Sequence, residues 1–212
     1  MLGLGLNKAD RISRRIGTAW LALVIGLTAT LPAQSIDAHR GTAALIPVRS
    51  VTAPPPGATR LCATYDWACA KAGRSLLMGD ASLQVLRSVN AKANRSIRPI
   101  SDQQQYRIAE RWSLPTQRGG DCEDYALYKK QALIKAGFPP EQLLIAAVLD
   151  RKRQSHAVLV VRTGTQDLVL DNLHNRILPW QKTGYTFLRI QDPSQPSRWV
   201  SVFAGGMLPA SG

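Results

Sequence analysis

Cys122 is the residue of this chain best suited to nucleophilic chemistry, and it lies in a Gly-Asp-Cys-Glu-Asp-Tyr segment that begins at Gly120. The pair Gly119-Gly120 predicts a tight turn, and the residues after it predict a helix. A cysteine in the first turn of a helix is easily ionised, because unpaired backbone N–H groups and the helix dipole stabilise the thiolate. The structural alternative is a small apolar side chain on the core face of that helix.

The carboxylates beside Cys122 oppose this activation. Asp121, Glu123 and Asp124 surround the sulfur with negative charge, which disfavours a second anion. We therefore expect either a bound cation or the guanidinium of Arg118 to neutralise them.

A thiolate nucleophile also needs a base, which is usually histidine. His39 lies in the N-terminal region and His174 in a predicted turn, whereas His156 begins the apolar run Ala157–Val161. A histidine at the edge of a strand, facing a helix N-terminus, is the arrangement that cysteine hydrolases need. We therefore predict that His156 is the base, although a lone histidine at this position is also consistent with a structural role.

Asp171 is the candidate for the group that orients the imidazole. It follows the apolar run Leu168–Leu170, and a neighbouring antiparallel strand would bring its carboxylate to the ring of His156. A solvated aspartate that begins a turn is the alternative. The order Cys, His, Asp, with a helix followed by two strands, indicates a triad more strongly than any one member.

The elements that must position these residues change type along the chain. Apolar positions at helical spacing predict helices at 81–94, at 102–111 with Ser101 or Asp102 as the cap, and from Asp121 to the stop at Gly137. Short runs rich in β-branched residues then predict strands at 143–149, 157–161, 168–170, 186–190 and 199–203. Helices followed by an antiparallel meander indicate an α+β domain.

The N-terminus predicts export. Lys8, Arg11, Arg14 and Arg15 precede an uncharged apolar run at 16–31, and small residues follow, with cleavage expected after Ala33 or Ala38. This is the pattern of a secretory signal peptide, with an uncleaved N-terminal anchor as the alternative. We thus divide the chain into a signal peptide at 1–38, a flexible lead-in or irregular strand at 39–60, the domain at 61–205 and a tail at 206–212. The protein is expected to be periplasmic or secreted.

The other two cysteines suit that compartment. Cys62 and Cys69 lie seven residues apart, and in an oxidising space a local disulfide is the natural interpretation, with two unbridged thiols as the alternative. Cys122 is then the cysteine left over, which marks it as a candidate reactive thiol.

The net charge of the chain is high, since 27 Lys and Arg stand against 14 Asp and Glu for a total of +13. Such a charge favours acidic partners in general. However, the basic residues are scattered as singles and pairs, and no segment interleaves aromatic with basic residues as single-strand binders do. We therefore expect no nucleic-acid partner.

These motifs together resemble a known family, the bacterial transglutaminase-like cysteine proteinases. The resemblance is carried by 120–126, 155–159 and 169–173, and shorter matches lie at 99–102, 112–115, 183–185 and 199–200. It covers roughly residues 60 to 203. It implies a papain/transglutaminase-like core, with the nucleophile at a helix N-terminus, and a catalytic triad of Cys122, His156 and Asp171.

The resemblance also implies a cofactor and partners. Characterised relatives include calcium-dependent periplasmic proteases that cut large surface adhesins during biofilm release, and Asp121 and Glu123 match the carboxylates that bind Ca²⁺ in them. Calcium would also offset the charge around Cys122; an acidic helix start without metal is the alternative. The expected partners are a protein substrate, such as a surface adhesin, and an inner-membrane regulatory receptor. This chain is more compact than the adhesin proteases, which leaves its substrate open.

The expected reaction is acyl transfer to water through a thioacyl-enzyme. The backbone N–H of Cys122, with the side chain of Trp112 or Gln117, would stabilise the oxyanion. A transglutaminase or amidase would use the same triad, and a non-catalytic periplasmic binding module would keep only the fold.

Overall fold

The structure of the protein is a computed structural model that describes residues 45–206. The predicted signal peptide with its cleavage positions, His39 and the tail beyond residue 206 lie outside the described residues. Between residues 45 and 206, no helix is both long enough and apolar enough to cross a membrane.

Four α-helices lie in the described part of the chain: α1 (Leu61–Thr64), α2 (Asp80–Ser96), α3 (Asp102–Tyr106) and α4 (Cys122–Lys135). Helices α2 and α4 confirm the two longer predictions. Helix α3 is shorter than predicted, because Arg107 adopts the left-handed conformation with φ of 64° and ends it. Ser101 caps α3 as predicted, since its hydroxyl oxygen accepts from the backbone N–H of Gln104 at 3.3 Å.

Seven strands form one sheet in the order β1-β7-β6-β2-β3-β4-β5, and every neighbouring pair is antiparallel. They are β1 (Val51–Thr52), β2 (Leu143–Leu149), β3 (Ser155–Arg162), β4 (Asp167–Leu170), β5 (Leu178–Pro179), β6 (Thr186–Gln191) and β7 (Trp199–Ala204). The five longer strands were predicted. Strand β1 lies within 39–60, where an irregular strand was one of the two alternatives, and β5 was missed because two residues are too short to show an alternating pattern.

Alternate residues of the strands divide between two apolar layers. Ile145 and Leu159 face the layer that contains Leu127 and Leu133 of α4, whereas Val160 faces the opposite layer. This alternation is the period of two that a pleated strand imposes. Helix α4 lies against β3 and β2, and α2 lies against α4, so the predicted arrangement of helices packed on an antiparallel sheet is confirmed.

The described part of the predicted lead-in is packed on the sheet. The Ile46 N–H donates to the Asp167 carboxylate at 2.7 Å, and Ile46 is buried in the layer opposite the helices. Three residues later the Arg49 N–H donates to the Ser201 carbonyl at 2.9 Å, and β1 then pairs with β7. From Ile46 onward this segment is therefore held in place and is not a flexible lead-in. The sequence concealed this because long-range pairing leaves no local signal.

The predicted disulfide is present between Cys62 and Cys69. It encloses Tyr65, whose hydroxyl oxygen accepts from the Leu114 N–H at 3.1 Å. The disulfide loop is thereby attached to the segment that leads to Cys122.

Candidate active site

Cys122 is the first residue of α4, as the sequence predicted, and two glycines fix its approach. Gly119 closes a tight turn with Thr116 and has φ of 123°, a conformation that favours glycine. A Cβ atom on Gly120 would lie 2.6 Å from the Asp124 carboxylate, so only glycine allows that side chain to fold back over the turn. The Gly-Gly pair is therefore required by both the backbone and the packing.

Cys122 and His156 line one cleft at the end of the sheet. Its other walls come from the lead-in, from the segment before α4 and from strands β2, β3 and β6: Pro55, Pro56, Glu110, Trp112, Glu123, Ala147, Val148, Ser155, Ala157, Leu188 and Arg189. The nucleophile and the base predicted from the sequence thus line the same cleft.

His156 and Asp171 form a buried pair. The His156 Nε2 atom lies 2.9 Å from Asp171 Oδ1, and both side chains are buried. Burial alone would raise the pKa of Asp171, but the hydrogen bond and charge of His156 outweigh it and lower the pKa to about 2. Since an ionised Asp171 can only accept, Nε2 is the donor of this hydrogen bond, which leaves Nδ1 as the ring nitrogen available for proton transfer. This is the tautomer that a general base requires.

The Asp171 carboxylate has two further partners that sequence reasoning did not assign. The Leu173 N–H donates to Oδ1 at 3.0 Å, and the Tyr185 hydroxyl donates to Oδ2 at 2.5 Å. His174 Nε2 lies 3.4 Å from the same Oδ2. Tyr185 stands 14 residues from Asp171 in sequence, so no local pattern connects them.

The loop that follows Asp171 is anchored by helix α2. Asn94 Nδ2 donates to the Asp171 carbonyl at 2.8 Å and to the His174 carbonyl at 3.2 Å. Asn90, fully buried on the same helix, donates to the Asn175 carbonyl at 3.2 Å. These two amides fix the backbone that carries the Asp171 carboxylate.

The Cys122 thiol is protonated in its present surroundings. Its sulfur donates to Glu123 Oε2 at 3.2 Å. Burial raises the pKa of Cys122 well above its usual value, and the Glu123 carboxylate raises it further, whereas a hydrogen bond from the Ala157 backbone lowers it. The structure thus places carboxylates that oppose ionisation beside the Cys122 sulfur, as expected from the sequence.

Three carboxylates stand together beside the nucleophile. One oxygen each of Asp102, Asp121 and Glu123 lies within 4.8 Å of the others. Asp121 and Glu123 were predicted as metal ligands, and the structure adds Asp102, whose backbone N–H donates to Asp121 Oδ2 at 3.0 Å. Sequence reasoning named Asp102 as a helix start and as part of the family match at 99–102, but not as a metal ligand, because it lies 19 residues from Asp121.

The charges of this cluster are compensated only in part, by the backbone N–H and the side-chain charge of Arg111 beside Asp102. Burial, followed by the charge of Asp121, raises the pKa of Asp102 to about 6 and that of Glu123 to about 9. The buried oxygens Asp121 Oδ1 and Glu123 Oε1 have no hydrogen-bond partner. Buried carboxylate oxygens without donors are the ligand set that a hard divalent cation prefers, so these residues fit a calcium ion.

The other two predicted neighbours have structural roles. Asp124 is buried and its Oδ1 accepts from the N–H of Ser113 at 3.0 Å, which ties α4 to the segment before it. Arg118 donates from its guanidinium to the carbonyl oxygens of Gln105 and Gln104 at 3.0 and 3.4 Å. It thus extends along the C-terminal end of α3 and does not neutralise the acidic cluster.

Of the two side chains suggested as oxyanion donors, Trp112 lines the cleft and Gln117 does not. Burial raises the pKa of the neighbouring Glu110 and the charge of Asp121 adds to this, whereas a hydrogen bond from Trp112 lowers it. The Trp112 side chain therefore lies in the same cleft as Cys122.

A bulge in β6 directs two consecutive side chains into the cleft. The register of β6 against β7 shifts between Phe187 and Arg189. Phe187 and Ile190 face the layer opposite the helices, while Leu188 and Arg189 between them line the cleft. Bulges next to active sites commonly re-aim side chains in this way.

Arg189 also holds the lead-in against the cleft. Its Nη1 donates to the Ala53 carbonyl at 3.0 Å and to the Pro54 carbonyl at 3.3 Å. The next two residues, Pro55 and Pro56, form a cleft wall. We call residues 53–56 the strap.

Solved structures of LapG from Legionella pneumophila resemble this chain. The calcium-bound form is 22% identical, the match covers 76% of this chain and 88% of that one, and the TM-score is 0.50. The EGTA-treated form is 23% identical over 65% and 75% of the two chains with a TM-score of 0.44, and a further LapG structure is 22% identical over 66% and 76% with a TM-score of 0.44. The likeness to the calcium-bound form shows that the two chains share a fold. No curated protein matches the chain significantly.

The family is shown by the sequence match. The model of the family described as bacterial transglutaminase-like cysteine proteinase (BTLCP) matches residues 48–206, which is most of the chain and includes Cys122, His156 and Asp171. The match also begins within the segment predicted as a lead-in, in agreement with its packing on the sheet. The chain therefore belongs to the bacterial transglutaminase-like cysteine proteinase family and is a cysteine peptidase.

Proposed function

We propose that the protein is an exported cysteine peptidase that cleaves peptide bonds of a periplasmic or cell-surface protein with the triad Cys122, His156 and Asp171. The observation that carries this proposal is the buried hydrogen bond of 2.9 Å between His156 and Asp171 in the cleft that contains Cys122. A lone cysteine beside an unsupported histidine would not suggest the same chemistry.

The tautomer of His156 determines the order of proton transfers. Nδ1 takes the proton of the Cys122 thiol as the sulfur attacks the substrate carbonyl. The imidazolium, stabilised by Asp171, then gives this proton to the leaving amine as the peptide bond breaks, which leaves a thioester on Cys122. His156 next takes a proton from water, the hydroxide adds to the thioester, and the thiol leaves with that proton.

The oxyanion of both tetrahedral intermediates needs donors on the cleft wall. The backbone N–H of Cys122 is at the helix N-terminus and has no intrahelical acceptor. We assign it as one donor. The indole N–H of Trp112 lies in the same cleft but already donates to the Glu110 carboxyl, so it serves as the second donor only by exchanging that partner for the oxyanion. Removal of a donor of this kind typically costs 10²- to 10³-fold in kcat.

We further propose that Asp102, Asp121 and Glu123 hold a calcium ion. This rests on the three converging carboxylates with two orphaned buried oxygens, and a solved LapG structure is described as calcium-bound. When bound, the ion supplies positive charge that offsets the carboxylates raising the pKa of Cys122.

The place and partners of the reaction follow from the sequence. Export is supported by the signal-peptide pattern at 1–38 and by the disulfide between Cys62 and Cys69, which suits an oxidising compartment. We propose a surface adhesin as the substrate and an inner-membrane receptor as a regulator, in line with the family resemblance.

The test uses the mature protein and its Cys122→Ala variant, each incubated with the envelope proteins of the source bacterium in calcium buffer. New N-termini are labelled and identified by mass spectrometry. We expect one or a few cleavage sites with the wild type and none with the variant, whose melting temperature should be within a few degrees of the wild type. Equal cleavage by Cys122→Ala would refute the mechanism.

The same thioester could instead pass to an amine. A fluorescent primary amine added to the same incubation separates the two outcomes. A peptidase produces new N-termini without labelled protein, whereas a transglutaminase incorporates the amine into glutamine side chains without cutting the chain.

A further inference from the structure

Tyr185 contacts both the carboxylate and the base of the proposed triad. Its hydroxyl donates to Asp171 Oδ2 at 2.5 Å, while Oδ1 of the same carboxylate faces His156 at 2.9 Å. Its ring stands edge-on to the His156 imidazole, with the ring centres 5.7 Å apart and an interplanar angle of 90°. One side chain thus contacts both the carboxylate and the imidazole.

Tyr185 is itself held firmly. It is only 4% exposed, and its backbone N–H donates to Thr183 Oγ1 at 3.1 Å. Thr183 is fully buried, donates to the Trp180 carbonyl at 2.7 Å and receives at its own carbonyl a hydrogen bond of 2.8 Å from the Arg151 guanidinium. The phenol is therefore anchored by a network that does not include the triad.

Near neutral pH the phenol is a donor to Asp171. Burial and the Asp171 carboxylate both raise the pKa of Tyr185, so the hydroxyl keeps its proton. The phenol is hydrogen-bonded to Asp171 Oδ2, and His174 Nε2 lies 3.4 Å from the same oxygen.

We propose that Tyr185 is a positioning residue of the peptidase, which locks the Asp171 carboxylate and the His156 ring in the orientation that proton transfer requires. The inference rests on the triad proposed above. With Oδ2 held by the phenol, the carboxylate cannot rotate about its Cβ–Cγ bond, and Oδ1 stays in line with the His156 Nε2–H. Without the phenol, Oδ1 keeps the Leu173 N–H, but Oδ2 is free to turn toward His174, and the alignment of Oδ1 with the His156 Nε2–H is no longer fixed from both sides.

The primary test is Tyr185→Phe, which keeps the ring and removes the hydroxyl. The probe is p-nitrophenyl acetate, whose acetyl group is small enough to reach Cys122 without a peptide-binding subsite. The initial burst of p-nitrophenolate counts the active sites, and the steady rate gives kcat. We expect kcat per active site to fall roughly tenfold, with KM changed by less than about twofold, because the lost hydrogen bond to a charged group acts on the transition state.

The matched control is Tyr125→Phe. Tyr125 is also buried, and its hydroxyl donates to the backbone carbonyl of Ile97, away from the triad. The Tyr125→Phe variant should lose about as much stability as Tyr185→Phe does, and its kcat should equal that of the wild type. Equal kcat values for the two variants would overturn the proposal.

A double-mutant cycle separates positioning from a merely structural role. Tyr185→Phe is measured again in the Asp171→Asn background, where no anionic carboxylate is left to orient. If Tyr185 acts through Asp171, Tyr185→Phe should lower kcat by less than about twofold in this background. If the role of Tyr185 is only structural, the substitution should lower kcat by the same factor in both backgrounds. The second result would refute the inference.

A second variant covers the case in which Tyr185→Phe does not fold. Thr183→Val leaves the Tyr185 hydroxyl in place but removes the acceptor of its backbone N–H. Thr183→Val should lower kcat by a smaller factor than Tyr185→Phe does. In the Asp171→Asn background, Thr183→Val should have little effect on kcat. An equal effect on kcat in both backgrounds counts against the proposal. If wild type and Cys122→Ala turn over the ester equally, the proposed mechanism itself fails, which is a distinct outcome.

Discussion

At the scale of single residues, the site combines two electrostatic environments that lie next to each other. The Asp171 carboxylate is surrounded by donors and its pKa is lowered to about 2, whereas burial and the charge of Asp121 outweigh the donors to Glu123 and raise its pKa to about 9. Both are buried. The difference arises because Asp171 accepts from an imidazole, a phenol and a backbone N–H, while the chief neighbour of Glu123 is another carboxylate.

This contrast predicts how the acidic cluster responds to calcium. Asp102→Asn removes one of the three converging anionic oxygens, so we expect calcium affinity to fall roughly tenfold or more. Isothermal titration with calcium chloride measures this directly, and the rise of the melting temperature on adding calcium should shrink in parallel.

The control for that experiment is Asp80→Asn, which neutralises an exposed aspartate in the first turn of α2 outside the cluster. Its calcium affinity should equal that of the wild type. If Asp102→Asn binds calcium as tightly as Asp80→Asn does, Asp102 is not a ligand.

At the scale of elements, the cleft depends on pairings between segments that are distant in sequence. The strap is held by Arg189 of β6, which lies 136 residues after Ala53. The bulge that turns Arg189 toward the cleft also turns Leu188 toward it, so one irregularity in β6 shapes two parts of the wall.

Arg189→Met tests the strap. It keeps an unbranched side chain of similar length and removes the guanidinium that donates to the Ala53 and Pro54 carbonyls. We expect KM for a peptide that spans the mapped cleavage site to rise several-fold, roughly the worth of one charged hydrogen bond, with kcat little changed. Turnover of p-nitrophenyl acetate should stay the same, since the small ester does not reach the strap.

Arg95→Met provides the comparison, because Arg95 is exposed in the last turn of α2 and contributes nothing to the cleft wall. Equal peptide KM values for the two variants would show that the strap is no part of the binding site.

At the scale of the whole molecule, burial of two lysines of α4 lowers the free energy of unfolding. Lys129 and Lys130 are 1% and 0% exposed. The Lys130 ammonium donates to the Gln191 side-chain oxygen at 2.8 Å, and that oxygen also accepts from the Ile145 N–H at 3.1 Å. Burial lowers the pKa of Lys130 to about 7, against the opposing charge of Glu141.

The lowered pKa gives stability a definite pH dependence. Between about pH 7 and the unfolded lysine value of about 10.4, the unfolded chain binds more protons than the folded chain, so this group makes the protein more stable as the pH rises. Lys130→Met removes the penalty of burying the charge. We expect it to raise the free energy of unfolding by roughly 3 kcal/mol at pH 6, with the gain shrinking steadily toward pH 10.

Urea unfolding at several pH values measures this, and the difference between wild type and variant cancels the carboxylates that titrate in the same range. Lys135→Met, at the exposed end of the same helix, should give a flat difference. A flat difference for Lys130→Met as well would show that Lys130 is not neutral in the folded protein at alkaline pH.

The sequence by itself determined the parts of this protein that have a local cause. The helix at Cys122 follows from the Gly-Gly turn and the periodic apolar residues after it, and the five longer strands from their β-branched runs. His156 and Asp171 were identifiable because each lies at a strand end within a meander, where neighbouring strands meet. The disulfide follows from two cysteines seven residues apart in a chain whose N-terminus predicts export.

Only the tertiary structure decided the rest, because the contacts concerned join segments that share no sequence pattern. Asp102 joins Asp121 and Glu123 through the packing of α3 beside the start of α4, and Tyr185 reaches Asp171 from the connection before β6. The two-residue strand β1 and the strap exist only because β7 and Arg189 supply their partners. Local spacing fixes which residues can begin a helix or end a strand, whereas the distances between their side chains depend on how those elements pack.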